Sequence, residues 1–439
     1  METHGLVCYN AKYPYFVTKE PVLERIMEAT MKQFMTILKA ALRNERVVPA
    51  EEISPEAWEQ MFRLAGMHKV LPLFYEAAYP ALQQAALPCL PGIKRQTMQQ
   101  ILMQTMRTEE FLALNQTLLD GGVTPLVVKG IACRNLYPKP DHRQSSDEDV
   151  LIPVEQFAAC HQKMLDFGMH ATVADDQLQA AYEVPYRKAG SPLYIELHKH
   201  LFPPESDAYG DWNRFFEGAP ERAIPMTIQG HTVYTLGHTD HLFYLICHAF
   251  KHFLHSGFGI RQVCDIILYA NAYGHKINWA QVQENCCAIR AEKFAAALFQ
   301  IGSNHLVFDP DKAHYPDDWR RIQVNEMPML EDLLSGGVYG GADLSRKHSS
   351  NITLEAVTAQ KQGRKNKHAV LTSAFPPASR LEGRYPYLKR NPWLLPVAWC
   401  SRLWTYSKET RNSPDNKASD ALKIGSERIA LLKEYGVLE

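Results

Sequence analysis

No apolar stretch in the 439 residues reaches the roughly 18 that a membrane-spanning helix needs. The nearest, "NPWLLPVAWCSRLW" (391–404), is too short and carries Arg402, so it reads as a buried or docking helix. No charge of one sign dominates either. Lys+Arg is 47 and Asp+Glu is 48, a formal net charge of -1, which excludes a broad attraction to nucleic acid or to an anionic membrane surface. Any anion binding must come from a local cluster, and long nucleic acid loses weight as a partner. The nine cysteines contain no C-x-x-C pair, which leads us to expect reduced thiols and a cytoplasmic protein. The first twenty residues lack a basic start followed by an apolar run, so no secretory signal is expected. There is no G-x-S-x-G, no Walker loop and no G-x-G-x-x-G, which argues against a serine hydrolase, a P-loop nucleotide hydrolase and a dinucleotide enzyme. The aromatic residues, 10% of the chain, are spread rather than gathered into a stacking platform.

The patterns that are present predict an α+β protein. Residues 1–120 read as a helical N-terminal region, with "VLERIMEATMKQFMTILKAAL" and "IKRQTMQQILMQTMRTEEFLALNQTLLD" keeping apolar residues three and four apart until "GGVTP" stops them. Residues 121–237 read as a small mixed β-sheet core. "PLVV" (125–128) is a strand, "GIACRNLY" (130–137) a short helix and "DEDVLI" (147–152) a second strand. "PVEQFAACHQKMLDFG" follows as a helix. A hairpin over 180–202 turns at Lys188–Pro192, and a further β pair turns at Gln229-Gly230. Residues 238–334 return to helix. Residues 335–439 read as a loop-rich and helical extension whose Gly-, Ser- and Lys-rich part, 335–368, is expected to be loop-like. A basic patch at Lys361, Arg364, Lys365 and Lys367 lies in it.

Asp147 and Asp149 open the strand "DEDVLI". Side chains on a strand alternate faces, so these two point one way and Glu148 the other. Two carboxylates about 5 Å apart repel by roughly 3 kcal/mol at an effective dielectric near 20. A divalent cation turns that cost into a gain, and Mg2+ prefers such hard oxygens. "PLYIELHKHLF" alternates as well, with Tyr194, Glu196 and His198 opposite Ile195 and Leu197. Glu196 could therefore bring a third carboxylate to the same face. On "HAFKHFLHSGFGIRQVCDI", His248, Lys251, His252 and His255 share one helix face, and Arg261 and Asp265 are an i, i+4 pair on the next helix. His238-x-x-His241 and His248-x-x-x-His252 also raise zinc, although no cysteine ligand set accompanies them.

The stretch "LVVKGIACRNLYPKPDHRQSSDEDVLI" resembles the signature of the uncharacterised nucleotidyltransferases of the polymerase-beta superfamily, in which a Lys-Gly turn and short helix precede an Arg-x-x-x-D-x-D strand. "YIELH" (194–198) is similar to the third-carboxylate strand, and "GGVYG" (336–340) with residues 375–399 to the C-terminal region. Four positions depart from the superfamily pattern: Lys129-Gly130 stands for Gly-Ser, Ser146 for Gly, and the middle of the acidic triplet is Glu148. The resemblance implies a nucleotidyltransferase that moves an NMP group from an NTP to an unidentified acceptor, whether protein, small molecule or RNA end. It implies two Mg2+ ions, with Mn2+ as a substitute, on Asp147, Asp149 and Glu196 as catalytic and metal-binding residues. It assigns the triphosphate to Lys251 and Arg261, with His252 beside them. Lys129 and Gly130 at the start of the short helix, with its free amide groups, suit nucleotide phosphates as well, and Arg143 could pair with the acids or a phosphate, or anchor the loop. The alternative the resemblance leaves open is a catalytically inactive nucleotide-binding or protein-interaction relative of the same fold.

Overall fold

A computed structural model describes residues 21–48, 52–85, 87–336, 344–363, 375–381, 384–411 and 418–439. Helices flank one seven-stranded mixed sheet in the middle of the chain, so the α+β class holds. Among the described residues four helices precede the sheet: α1 (Pro21–Leu42), α2 (Pro55–Met67), α3 (Leu71–Gln84) and α4 (Leu90–Asp120). Ser54 caps α2 by accepting from the Ala57 amide at 3.2 Å, with Pro55 at the first helical position. α4 stops where Gly121 and Gly122 take over, as the sequence predicts.

The strands are β1 (Leu126–Val127), β2 (Glu148–Leu151), β3 (His170–Ala171), β4 (Glu183–Arg187), β5 (Tyr194–His198), β6 (Ile224–Ile228) and β7 (His231–Thr235). They lie in the order β3-β4-β5-β2-β1-β7-β6. The two-residue β3 was not anticipated; too short to show alternation, it forms by pairing with β4. The β6–β7 hairpin turns at Gln229 (φ 50) and Gly230 (φ 85), the twin positive values that a tight two-residue turn requires.

One face of the sheet is apolar. Val150, Val184, Ile195, Leu197 and Val233 pack on Phe111, Leu114 and Leu118 of α4 and on Phe157 and Met164 of α6 (Phe157–Asp166). That burial locks the register, because a one-residue slip would turn the apolar set outward. The intervening residues Asp149, Glu196 and His198 must then project from the other face. Toward that side lie α7 (His238–His255) and α8 (Ile260–Tyr273), whose core runs on through α9 (Trp279–Ala288) and α10 (Glu292–His305). No described helix is long and apolar enough to cross a membrane.

One expectation for the C-terminal part is corrected. Within 335–368, residues Leu344–Lys361 form a helix and not a loop. Composition misled there because tertiary burial outweighs propensity: Ile352, Ala356 and Val357 are buried, and Asp332 clamps Arg346 at 2.7 Å and Arg428 of the last helix at 2.8 Å. The helix Leu395–Arg411 is buried on one side only: Ala398 packs with Leu381 and Leu388, whereas Val397 is 57% and Trp404 69% exposed. Of the basic patch, Lys361 pairs with Asp211 at 2.6 Å. Arg364, Lys365, Lys367 and most of "GGVYG" (337–340) lie outside the described residues.

Glu148 points into the apolar side of the sheet, where Arg134 meets it at 2.6 Å with both side chains essentially inaccessible. Removing one partner of such a pair leaves a buried charge uncompensated. Arg134→Met is therefore expected to cost about 3–5 kcal/mol, read as a lower urea midpoint with an unchanged m-value. A loss below 1 kcal/mol would contradict this account.

Candidate functional site

The site begins with the turn after β1. Gly130 has φ 52 and ψ -118, and a Cβ on it would stand 1.9 Å from Glu148 Oε2. Only glycine fits. The next amide, Ile131 N, donates to the same oxygen at 2.8 Å and opens the single-turn helix α5 (Ile131–Arg134). That amide, which the sequence reading left open for a phosphate, is taken by Glu148. The weld turns Lys129 to the opposite face, where its ammonium lies 2.9 Å from Asp149 Oδ2 and 3.0 Å from His248 Nε2.

β2 and β5 run parallel with Asp149 directly opposite Glu196. Two residues beyond Glu196, His198 Nε2 stands 3.1 Å from Asp149 Oδ1 and 4.0 Å from Glu196 Oε2. One donor atom from each of the three lies within 4.8 Å of the other two. Asp149 is buried, which opposes ionisation, yet the charges of Lys129 and His198 hold its carboxyl well below the usual range. Glu196 goes the other way: burial and the neighbouring charges of Asp149 and Asp147 raise it to about 8. Lys129 carries the complement. Burial disfavours its charge, but Asp149, Asp147 and Glu196 overcome that and hold the ammonium above its ordinary value.

Asp147 sits just before β2, half-buried, and lines a small cavity of about 30 Å³ with Lys129, Gly130, Arg143, His248 and Arg261. It belongs to the same charge cluster but not to the close set of three donors. The structure thus brings Asp149 and Glu196 together, adds His198, and keeps Asp147 a step away. His198 was legible as a residue on the Glu196 face of "YIELH"; nothing in its spacing marked it as a partner of Asp149.

A cationic wall faces these acids. Burial lowers Lys251 on α7, and Asp149, Glu196 and Glu183 are the carboxylates within its electrostatic reach. His248 and His252 approach through their Nε2 atoms at 3.2 Å, and burial with the surrounding cations keeps both imidazoles well below their usual value. Arg261 reaches the Gln144 carbonyl. Arg143 is held by Asp265 through Nε at 3.1 Å and Nη2 at 2.5 Å, and Tyr137 donates to the same carboxylate at 2.8 Å. From the other side Gln104 accepts from the Ser145 amide at 2.8 Å, and Arg107 meets the Ser145 carbonyl. The loop that delivers Asp147 is pinned from both flanks.

Lys69 was missed entirely. It occupies the α2–α3 turn with φ 55 and touches Ser146 Oγ, beside Asp147. Burial, then Arg261, lowers its ammonium to about 8, against the opposing pull of Asp147. The fully buried His68 sets the turn in place by accepting from the Ile260 amide at the head of α8, at 3.3 Å. Only contact across the chain reveals this lysine.

The donor chemistry fits a hard divalent cation. Two crowded carboxylates are left under-neutralised, as the raised Glu196 shows, and an imidazole stands beside them. The zinc reading finds no support among the described residues: His238 meets Tyr269 and His241 meets Thr235, each at 3.0 Å, and no second group of three metal-type ligands forms.

A family model described as an uncharacterised nucleotidyltransferase matches residues 54–304, from the cap of α2 to the end of α10, and includes every residue of this site. No curated protein and no solved structure matches the chain.

The Glu196 shift has a measurable sign. The folded, metal-free protein keeps a proton that the unfolded chain releases above its ordinary value of 4.5, so the stability this group contributes is lost as the pH rises from there through about 8. The buried neutral histidines contribute the opposite slope below about pH 6.5 equally in both proteins, so the urea midpoint of metal-free Glu196→Gln should gain on that of wild type across the window. Equal slopes for the two proteins would rule the shift out.

Proposed function

The chain belongs to the uncharacterised nucleotidyltransferase family, and on that premise we propose that it is an Mg2+-dependent enzyme transferring an NMP group from an NTP to an acceptor. The observation that carries the reading is the register of Asp149 with Glu196 beneath a wall of cations. Asp149, Glu196 and Asp147 would hold the ions, with His198 as a further donor. When bound, two Mg2+ ions, or Mn2+ in their place, supply activation of the attacking oxygen and charge neutralisation at the leaving pyrophosphate.

The chain's own groups do the rest. Lys129, Lys251, His252 and Arg261 face the triphosphate, and Lys69 joins them from the helical N-terminal region. Arg143 adds charge to the cavity wall while Asp265 holds its guanidinium. Gly130 permits the close approach of the β1 turn. Glu196 would give up its proton to a bound cation and then stand ionised on the acceptor side, as ligand or as base for an acceptor hydroxyl. A cavity of about 30 Å³ holds a water-sized group.

The decisive experiment measures NTP binding with Mg2+ by calorimetry alongside pyrophosphate release in a broad acceptor mixture. Asp147→Asn/Asp149→Asn should abolish release and weaken metal-dependent NTP binding roughly ten-fold or more. Binding equal to that of wild type would sink the enzyme reading. A second outcome concerns Lys69: Lys69→Met should raise the KM for NTP several-fold with a smaller change in kcat, the pattern of lost ground-state binding. An unchanged KM would remove Lys69 from the phosphate site.

A further inference from the structure

The Tyr137–Asp265–Arg143 knot has two sides. Arg143 and Asp265 line the small cavity at the acids, whereas Tyr137 lines a second and far larger hollow of about 670 Å³. Its floor is apolar, formed by Leu42 at the end of α1, Leu136, Leu268 of α8, and Leu306 and Phe308 beyond α10. Three cations line it as well: Lys39, Arg43 and Lys312. Among the described residues none of these three side chains has an ion-pair or hydrogen-bond partner. The lining holds one carboxylate, Asp309, whose Oδ1 accepts from the amides of Asp311 and Lys312 at 3.1 Å each, so three cations stand against one anion.

The hollow is also built rather than incidental. Asn271 on α8 donates to the Val307 carbonyl at 2.8 Å and accepts from the Asp309 amide at 3.0 Å, which fastens the 306–312 segment against the helix. Cations in a concave site with low-dielectric walls focus a positive potential into it. The volume lies in the range that small-molecule sites occupy. An arginine among the cations favours an anion with oxygens in a fork, such as a phosphate.

We propose that this hollow binds a small amphipathic phosphate ester, with an apolar or aromatic body on the Leu42–Leu136–Leu268–Phe308 floor and the phosphate among Lys39, Arg43 and Lys312. It is a ligand site distinct from the carboxylate site, and it stands whether or not the nucleotidyl-transfer reading does.

The probe is 1-naphthyl phosphate, titrated by its fluorescence into the metal-free full-length protein, with inorganic phosphate as the comparison. Saturable binding to wild type is expected, tighter than that of phosphate alone. Lys39→Glu/Arg43→Glu should weaken it roughly ten-fold or more. Ala272→Trp, which fills the hollow from an accessible position on α8, should block it. Asp147→Asn/Asp149→Asn should leave it unchanged, and thermal unfolding confirms that each variant is folded. The proposal is overturned by any of four results: no saturable binding to wild type, equal affinity for inorganic phosphate, indifference to both hollow variants, or loss of binding in the carboxylate variant.

Discussion

The site rests on a repulsion that the fold does not relieve by distance. Parallel pairing of β2 with β5 sets Asp149 opposite Glu196 on a face that the protein covers, so Asp149 is taken from water and Glu196 is left half-buried. The apolar residues between them, Val150, Ile195 and Leu197, belong to the core on α4 and α6 and hold the register in place. Hydrophobic burial on one side of the sheet thus sustains electrostatic crowding on the other. Lys129 offsets part of that crowding at Asp149, while burial and the remaining repulsion from Asp149 and Asp147 let Glu196 keep a proton to about pH 8.

The neighbouring acid, Glu148, does the opposite job. It faces the apolar side with Arg134, accepts from Ile131 N, and leaves no room for a side chain at residue 130. Three consecutive acids therefore divide into a structural weld and two site carboxylates, one at the close donor set and one beside it. The loop between weld and site is held by α4, α8 and the α2–α3 turn together. The N-terminal helices are part of the site's construction, because His68 and Lys69 reach the head of α8 and the approach to Asp147.

How much of this could be read beforehand follows from the range of each signal. Strand alternation is local, so Asp149, Glu196 and the outward face of "YIELH" were legible, as were both hairpins and the α7 and α8 segments. Lys69 was not, because 77 positions separate it from Ser146 and no pattern links them. His198 was visible as a face-mate, but its contact with Asp149 depends on the parallel pairing, which a single strand does not announce. Arg143 read equally well as a phosphate ligand or an anchor; its geometry with Asp265 shows the anchoring contact. The helix Leu344–Lys361 was lost to its composition, which is rich in residues that favour loops when nothing packs on them.

Lys129 at the position before Gly130 has a consequence for how ligands would enter. The site carries its own counter-ion, since the ammonium already sits on Asp149 Oδ2. On the proposed reading, a cation arriving alone must displace that ammonium and the Glu196 proton, and both oppose it. A triphosphate gives Lys129 another anion to face, so the displacement is repaid when nucleotide and cation arrive together. Linkage makes the effect reciprocal: whatever free energy the nucleotide contributes to cation binding, the cation returns to nucleotide binding. A lysine here thus favours joint capture over separate capture, which a neutral residue in its place would not do.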